Sequence, residues 1–146
     1  MAAVREAQVT WTGALVDGNG TINEVTSSAV NGLPVTWASR TEGPEGKTSP
    51  EELVAAAHAS CYAMAFSHML NLGGTPPTKL EVSATVTFDR VDAGFKVVSS
   101  ALKVSGQVAG IDAAKFVETA EAAKDGCPIS QALKGNVELS VEATLE

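Results

Sequence analysis

The chain has 146 residues and only two cysteines, and it contains no Cys-x-x-Cys pair. That scarcity argues against a secreted disulfide scaffold, and the spacing removes the usual zinc and thioredoxin-type readings. Histidine is equally scarce: His58 and His68 lack carboxylate or thiol companions at metal-ligand spacing, so no metal and no cofactor is expected. Positive charge is also short, with 10 Lys and Arg against 17 Asp and Glu and a net charge of −7. Affinity for nucleic acid comes mostly from basic side chains that neutralise phosphates, so nucleic acid is not an expected partner. The same field repels anionic membranes. Met1 to Thr12 shows no basic region followed by an apolar signal core, which reads as a cytoplasmic protein. Leu53 to Thr78 carries no Asp, Glu, Lys or Arg and is long enough for a membrane span. Ala is its commonest residue, mixed with Ser, Thr and the two His; it ends in Gly73-Gly74-Thr75-Pro76-Pro77 and has no basic anchor at either end, so a span is not the expected reading.

No internal repeat, low-complexity run or linker divides the chain, and its length suits a single domain over residues 1–146. Val4 to Thr12 and Thr21 to Val30 read as strands joined by the hairpin chemistry of Asp17-Gly18-Asn19-Gly20, and Leu33 to Ser39 reads as a third. A polar loop follows, Thr41 to Lys47. Ser49 as N-cap, Pro50 at the first helical position and Glu52 as a capping-box partner then start a long helix that should stop near Gly73. This helix is apolar nearly all round, through Leu53, Val54, Tyr62, Met64, Phe66, Met69 and Leu70. Leu80, Val82, Ala84, Val86 and Phe88 alternate with polar residues in a strand, and Phe95 to Val108 forms another after the Asp92-Ala93-Gly94 turn. A second helix runs from Ile111 or Asp112 to Lys124, a short one starts at Cys127-Pro128, and Val137 to Leu145 alternates as a last strand. This order predicts an α+β fold with antiparallel sheet around a long central apolar helix. A single domain of this size rarely buries a helix on every side, so a dimer is expected to cover the rest.

Taken alone, Cys61 reads as an inert small hydrophobe in mid-helix, beyond the reach of a helix dipole and in need of a cation from elsewhere to become reactive. Cys127 precedes Pro128 at a helix start, where unpaired N–H groups favour an anion; a silent capping role and a lowered pKa stay equally open. Two thiols so far apart in sequence can form a redox couple only if the fold brings their Cα atoms within about 7 Å.

Three blocks carry a resemblance. Ser49-Pro50-Glu51-Glu52-Leu53 followed by Ala56-Ala57-His58-Ala59-Ser60-Cys61, then Val91-Asp92-Ala93-Gly94-Phe95, and Gly126-Cys127-Pro128-Ile129-Ser130-Gln131 resemble the osmotically inducible protein C and organic hydroperoxide resistance family, OsmC/Ohr. The match spans nearly the whole chain; the Val-Asp-Ala-Gly-Phe turn and the Trp11-Thr12-Gly13 start are closer to the OsmC branch. The resemblance implies an intertwined α+β homodimer and a thiol peroxidase that reduces organic hydroperoxides to alcohols. In it Cys61 is peroxidatic and Cys127 resolving, Arg40 holds the thiolate and Glu51 is the carboxylate partner of that Arg. It further implies an external dithiol as reductant, such as a lipoylated protein. Bare, Arg40 reads as a solvated surface residue and Glu51 as a helix-dipole residue of the first turn. Glu51 and Cys61 are ten residues apart on one helix, hence about 15 Å along its axis, so a shared site requires Glu51 from the partner subunit. Ala59, Tyr62, Met64 and Phe66 are expected to line an apolar substrate region.

Two other functions compete. One is a stress-related binding or structural dimer with both thiols silent. The other is a Cys-His hydrolase, because His58 lies one turn before Cys61 on the same face; a packed or hydrogen-bonded core His is the preferred reading of His58, since no third orienting group is evident.

Overall fold

Glycine and proline stand at many of the element boundaries in the computed structural model, which describes residues 1–146. The chain divides into two units, Met1–Leu53 and Val54–Glu146. In the first, β1 (Ala7–Thr12), β2 (Asn19–Val25) and β3 (Leu33–Val35) form an antiparallel sheet in that order. The third strand ends earlier than its sequence suggested, because Trp37–Thr41 forms a short helix, α1. Thr36 caps it: its hydroxyl accepts from the Ser39 N–H at 3.0 Å while the Ser39 hydroxyl accepts from the Thr36 N–H at 3.0 Å. The Ser39 hydroxyl donates onward to the Thr48 carbonyl at 3.0 Å. This reciprocal cap competes with strand extension and places Arg40 in the last turn of a helix. Little of this unit is buried: β1 is exposed along its whole length, and Val9 and Trp11 are 54% and 41% exposed.

The long helix α2 runs Pro50–Leu72, as its start and stop signals predict. The Ser49 hydroxyl accepts from the Glu52 N–H at 3.2 Å. The other half of the expected capping box is replaced, because the Glu52 carboxylate accepts from the Thr48 hydroxyl at 2.6 Å. By length and composition α2 could cross a membrane. Its buried stripe, however, is His58, Tyr62, Phe66 and Leu70, one residue per turn, and in this chain that stripe is covered by protein.

In the Val54–Glu146 unit, β4 (Lys79–Val91), β5 (Gly94–Gln107) and β6 (Glu138–Leu145) form a sheet with β5 in the centre. β4 and β5 are antiparallel, but β6 lies parallel to β5. The expectation of purely antiparallel sheet fails at this pair for a topological reason: α3 (Ala113–Gly126) and α4 (Pro128–Leu133) intervene, and such a crossover returns the chain in the same direction. Along β5 the inward positions are Ser100, Leu102, Val104 and Gly106, all buried, in strict period two. They meet Tyr62, Phe66 and Leu70 of α2 and Phe116, Ala120 and Ala123 of α3 in one core. Phe66 and Phe116 pack edge to face at 5.0 Å, and the Tyr62 hydroxyl donates to the Ala120 carbonyl at 2.9 Å, tying α2 to α3.

Gly106 makes that contact possible, since a Cβ there would lie 2.8 Å from the Phe116 ring and 2.9 Å from Leu80. Phe116 is fully buried, packed against Phe66. Gly106→Ala should therefore destabilise the protein by about 1–3 kcal/mol through overpacking, read as a lower denaturation midpoint in urea; an unchanged midpoint would show that α3 is looser on the sheet than described.

Candidate active site

Cys127 sits between two helices because of the residue that follows it. Proline disfavours the helical conformation in its predecessor, and Cys127 adopts φ −73° and ψ 121°, ending α3 and preceding α4. The break points the thiol inward, and Cys127 is fully buried within the core cluster. Cys61, on α2, packs against that same cluster but remains partly exposed. The two thiols are free and perturb one another directly.

Their environments differ. Burial pushes the Cys61 thiol up; the Ile129 N–H offsets part of this, and the side chain and charge of Cys127 raise it further. Burial also acts to raise Cys127, but there it is outweighed by the Ser130 N–H, the Cys61 thiol, the Ser130 hydroxyl and the Ile129 N–H, which bring Cys127 below its ordinary value. The Cys127 sulfur makes no close capping hydrogen bond to α4. The first N–H groups of that helix nonetheless lie near enough to favour a negative sulfur. Within this unit the surroundings thus favour the charged form at Cys127 and disfavour it at Cys61. Tyr62 senses it too: burial, then the charges of Glu121 and Cys127, raise its phenol.

Arg40 and Glu51 form a second pair, in the Met1–Leu53 unit. Arg40 Nε lies 3.1 and 3.0 Å from the two Glu51 carboxylate oxygens and a terminal nitrogen lies 2.6 Å from Oε1, a bidentate grip. Glu51 is 8% exposed, and the Arg40 guanidinium lies 5.8 Å from the Trp37 ring centre. The solvated-surface reading of Arg40 is thus replaced by a fixed, paired cation, and the helix-dipole reading of Glu51 by a buried partner. The pairing comes from the α1 cap, which aims Arg40, and from the first turn of α2, which supplies Glu51.

His58 is fully buried, with Nδ1 at 2.7 Å from the Ser100 hydroxyl and Nε2 at 2.8 Å from the Ser130 hydroxyl. It is the hydrogen-bonded core His expected. Ser100 and Ser130 went unread in the sequence, although Ser100 is the one polar residue on the inward row of β5, a signal that period-two alternation carries. With both ring nitrogens engaged by hydroxyls, His58 is not a free base for Cys61, which removes the basis of a Cys-His hydrolase. The expected apolar lining also changes: Tyr62 and Phe66 are completely buried in the core, while Met64 is 68% exposed.

With the geometry in place, comparison with known proteins gives the class. Residues 43–142 match the family described as OsmC-like protein, and the chain belongs to that family. It is 42% identical to Peroxiredoxin OsmC of Escherichia coli (strain K12) over 142 residues, covering 97% of this chain and 98% of that one. It is 31% identical over 102 residues to the organic hydroperoxide resistance protein OhrB of Bacillus subtilis (strain 168), covering 69% and 72% of the two chains. The crystal structure of B. subtilis OhrB superposes with a TM-score of 0.74 at 26% identity, over 95% of this chain and 98% of that one.

Burial holds the His58 pKa below its ordinary 6.5. As pH falls below about 6.5 the unfolded chain takes up a proton that the folded chain refuses, so stability is present above that pH and is lost towards the folded value. The denaturation midpoint should fall between about pH 7.5 and pH 5.5, and His58→Gln should flatten that slope whatever its own stability; an undiminished slope in the variant would assign the loss to other groups.

Proposed function

We propose that this chain is a thiol-dependent peroxidase that reduces organic hydroperoxides to alcohols, with Cys61 as the peroxidatic and Cys127 as the resolving residue. The observation that carries the reading is a partly exposed thiol packed on the core cluster that holds the buried one, near enough that each perturbs the other, in a chain from a family whose members include a peroxiredoxin and organic hydroperoxide resistance proteins. The Cys61 thiolate attacks the distal peroxide oxygen, the O–O bond breaks, and the alkoxide leaves and takes a proton to become the alcohol. The Cys61 sulfenic acid then condenses with the Cys127 thiol to give a disulfide and water. An external dithiol, such as a lipoylated protein, reduces the disulfide and is itself oxidised.

Because Cys61 alone sits above the ordinary thiol value, its ionisation needs a cation. Arg40 supplies it in this reading, held at a fixed angle by Glu51. The rise of α2 separates Glu51 from Cys61 by about 15 Å, so the Arg40–Glu51 pair serves the Cys61 of a second subunit, and the working form is a homodimer. The exposed apolar side chains of the first unit and Met64 of α2 are the surface that such a partner would cover. The two units then act together as one domain. Free thiols that must cycle fit a reducing compartment, the cytoplasm.

Cys61→Ser should abolish peroxide reduction, and Cys127→Ser should consume one hydroperoxide per chain and then stop under dithiol turnover. Arg40→Ala should lower kcat/KM by about tenfold to a hundredfold, the range for losing a charge-assisted contact to a reacting anion. Subunit mixing tests the exchange across the dimer. Arg40→Ala chains refolded together with Cys61→Ser chains should regain more activity than either has alone, whereas a mixture no more active than its parts would place Arg40 and Cys61 of one chain in the same site.

A further inference from the structure

The buried row Ser100–His58–Ser130 runs toward Cys127, three residues before Ser130 at the start of α4. Ser130 occupies the third position of α4, within the same helical turn as Cys127, which precedes the helix, and its side chain acts on the Cys127 sulfur. Ser100, His58, Ser130 and Cys127 are each at most 2% exposed. No buried side-chain polar atom is left without a partner. A neutral imidazole has one donor and one acceptor nitrogen, so the row has a direction.

We infer that Ser130 and His58 are positioning residues for the resolving step, forming a one-way row of donors. In it the Ser100 hydroxyl donates to His58 Nδ1, His58 Nε2–H donates to the Ser130 hydroxyl, and that hydroxyl donates to the Cys127 sulfur. The inference rests on the peroxidase reading above. A hydroxyl whose oxygen is already occupied by an imidazole N–H has its own hydrogen committed to the sulfur, where a freely rotating serine would not. The row stabilises negative charge on Cys127 without placing a net positive charge in the core, in keeping with the lowered proton affinity of His58 and the Ser130 contribution at Cys127. The other ionisable groups facing this sulfur are Cys61 and Tyr62 from α2; Glu121 of α3 acts on Tyr62 in the same neighbourhood, and β5 contributes only the neutral Ser100.

The row serves both directions of disulfide chemistry. In resolution, the Cys127 sulfur attacks the Cys61 sulfenic acid, the S–S bond forms, and the departing hydroxide leaves as water with the proton that the Cys127 thiol gave up. In reduction, the external thiolate attacks Cys61, the more exposed of the two sulfurs, and Cys127 departs as a thiolate. A leaving thiol of lower pKa leaves faster.

Rapid mixing of the full-length protein with cumene hydroperoxide separates formation of the Cys61 sulfenic acid from disulfide closure. In Ser130→Ala the second phase should slow by about tenfold, the loss of one hydrogen bond to a charged group, and its pH midpoint should move up; Ser130→Thr, which keeps the hydroxyl, should restore both. A peroxide-free arm titrates Cys127 by ultraviolet absorbance in Cys61→Ser, where adding Ser130→Ala should raise the midpoint. An unchanged second phase and an unmoved Cys127 titration in Ser130→Ala overturn the donor row, as does equal impairment of the Ala and Thr variants, which marks a packing role only. If the unsubstituted protein forms no sulfenic acid at Cys61, the peroxidase reading fails on its own terms, and the Cys127 titration still decides the row.

Discussion

The placement of Cys127, and with it the pairing of the two thiols, depends on Pro128. By keeping Cys127 out of the helical conformation it separates α3 from α4, turns the thiol into the core and sets the start of a helix beside it. Without that break the sulfur would lie on a continuous helix, with no unpaired N–H groups near it. With it, a cysteine remote in sequence joins the cluster on which Cys61 packs, near enough to perturb it in the middle of α2, where no helix end is available. The two thiols therefore have opposite endowments: one is partly exposed and reluctant to ionise, the other is buried and inclined to.

That asymmetry gives the Arg40–Glu51 pair its purpose in the proposed mechanism. A thiol pushed up by burial and by a neighbouring negative sulfur gains nothing from its own helix and requires an outside cation. Arg40 is fixed for such a task by three contacts to one carboxylate rather than left on a mobile side chain, which lowers the entropy lost when it meets an anion. The chain thus holds two preassembled halves, each within its own unit, and the proposed dimer is what would join one half to the other.

Much of this was legible in the residues because strong local rules coincide with the tertiary outcome. Pro50 and Ser49 open α2, Gly73 follows its end, and the alternation of Leu80 to Phe88 marks the half-buried face of β4. Legibility failed where two local rules compete or where contacts are long-range. Leu33 to Ser39 has strand composition, yet Thr36 and Ser39 at capping-box spacing convert its second half to helix. The parallel pairing of β5 with β6 depends on a crossover that no short window records. Ser100 and Ser130 lie 42 and 72 residues from His58 in sequence, and nothing local to either marks them as its partners.

One covalent bond decides the proposed chemistry. The reduced protein should be given one equivalent of cumene hydroperoxide, its remaining thiols blocked, and its peptides mapped by mass spectrometry under non-reducing conditions. The predicted product is a disulfide between Cys61 and Cys127 of the same chain. Two blocked, unoxidised thiols, or a disulfide found only between chains, would contradict it.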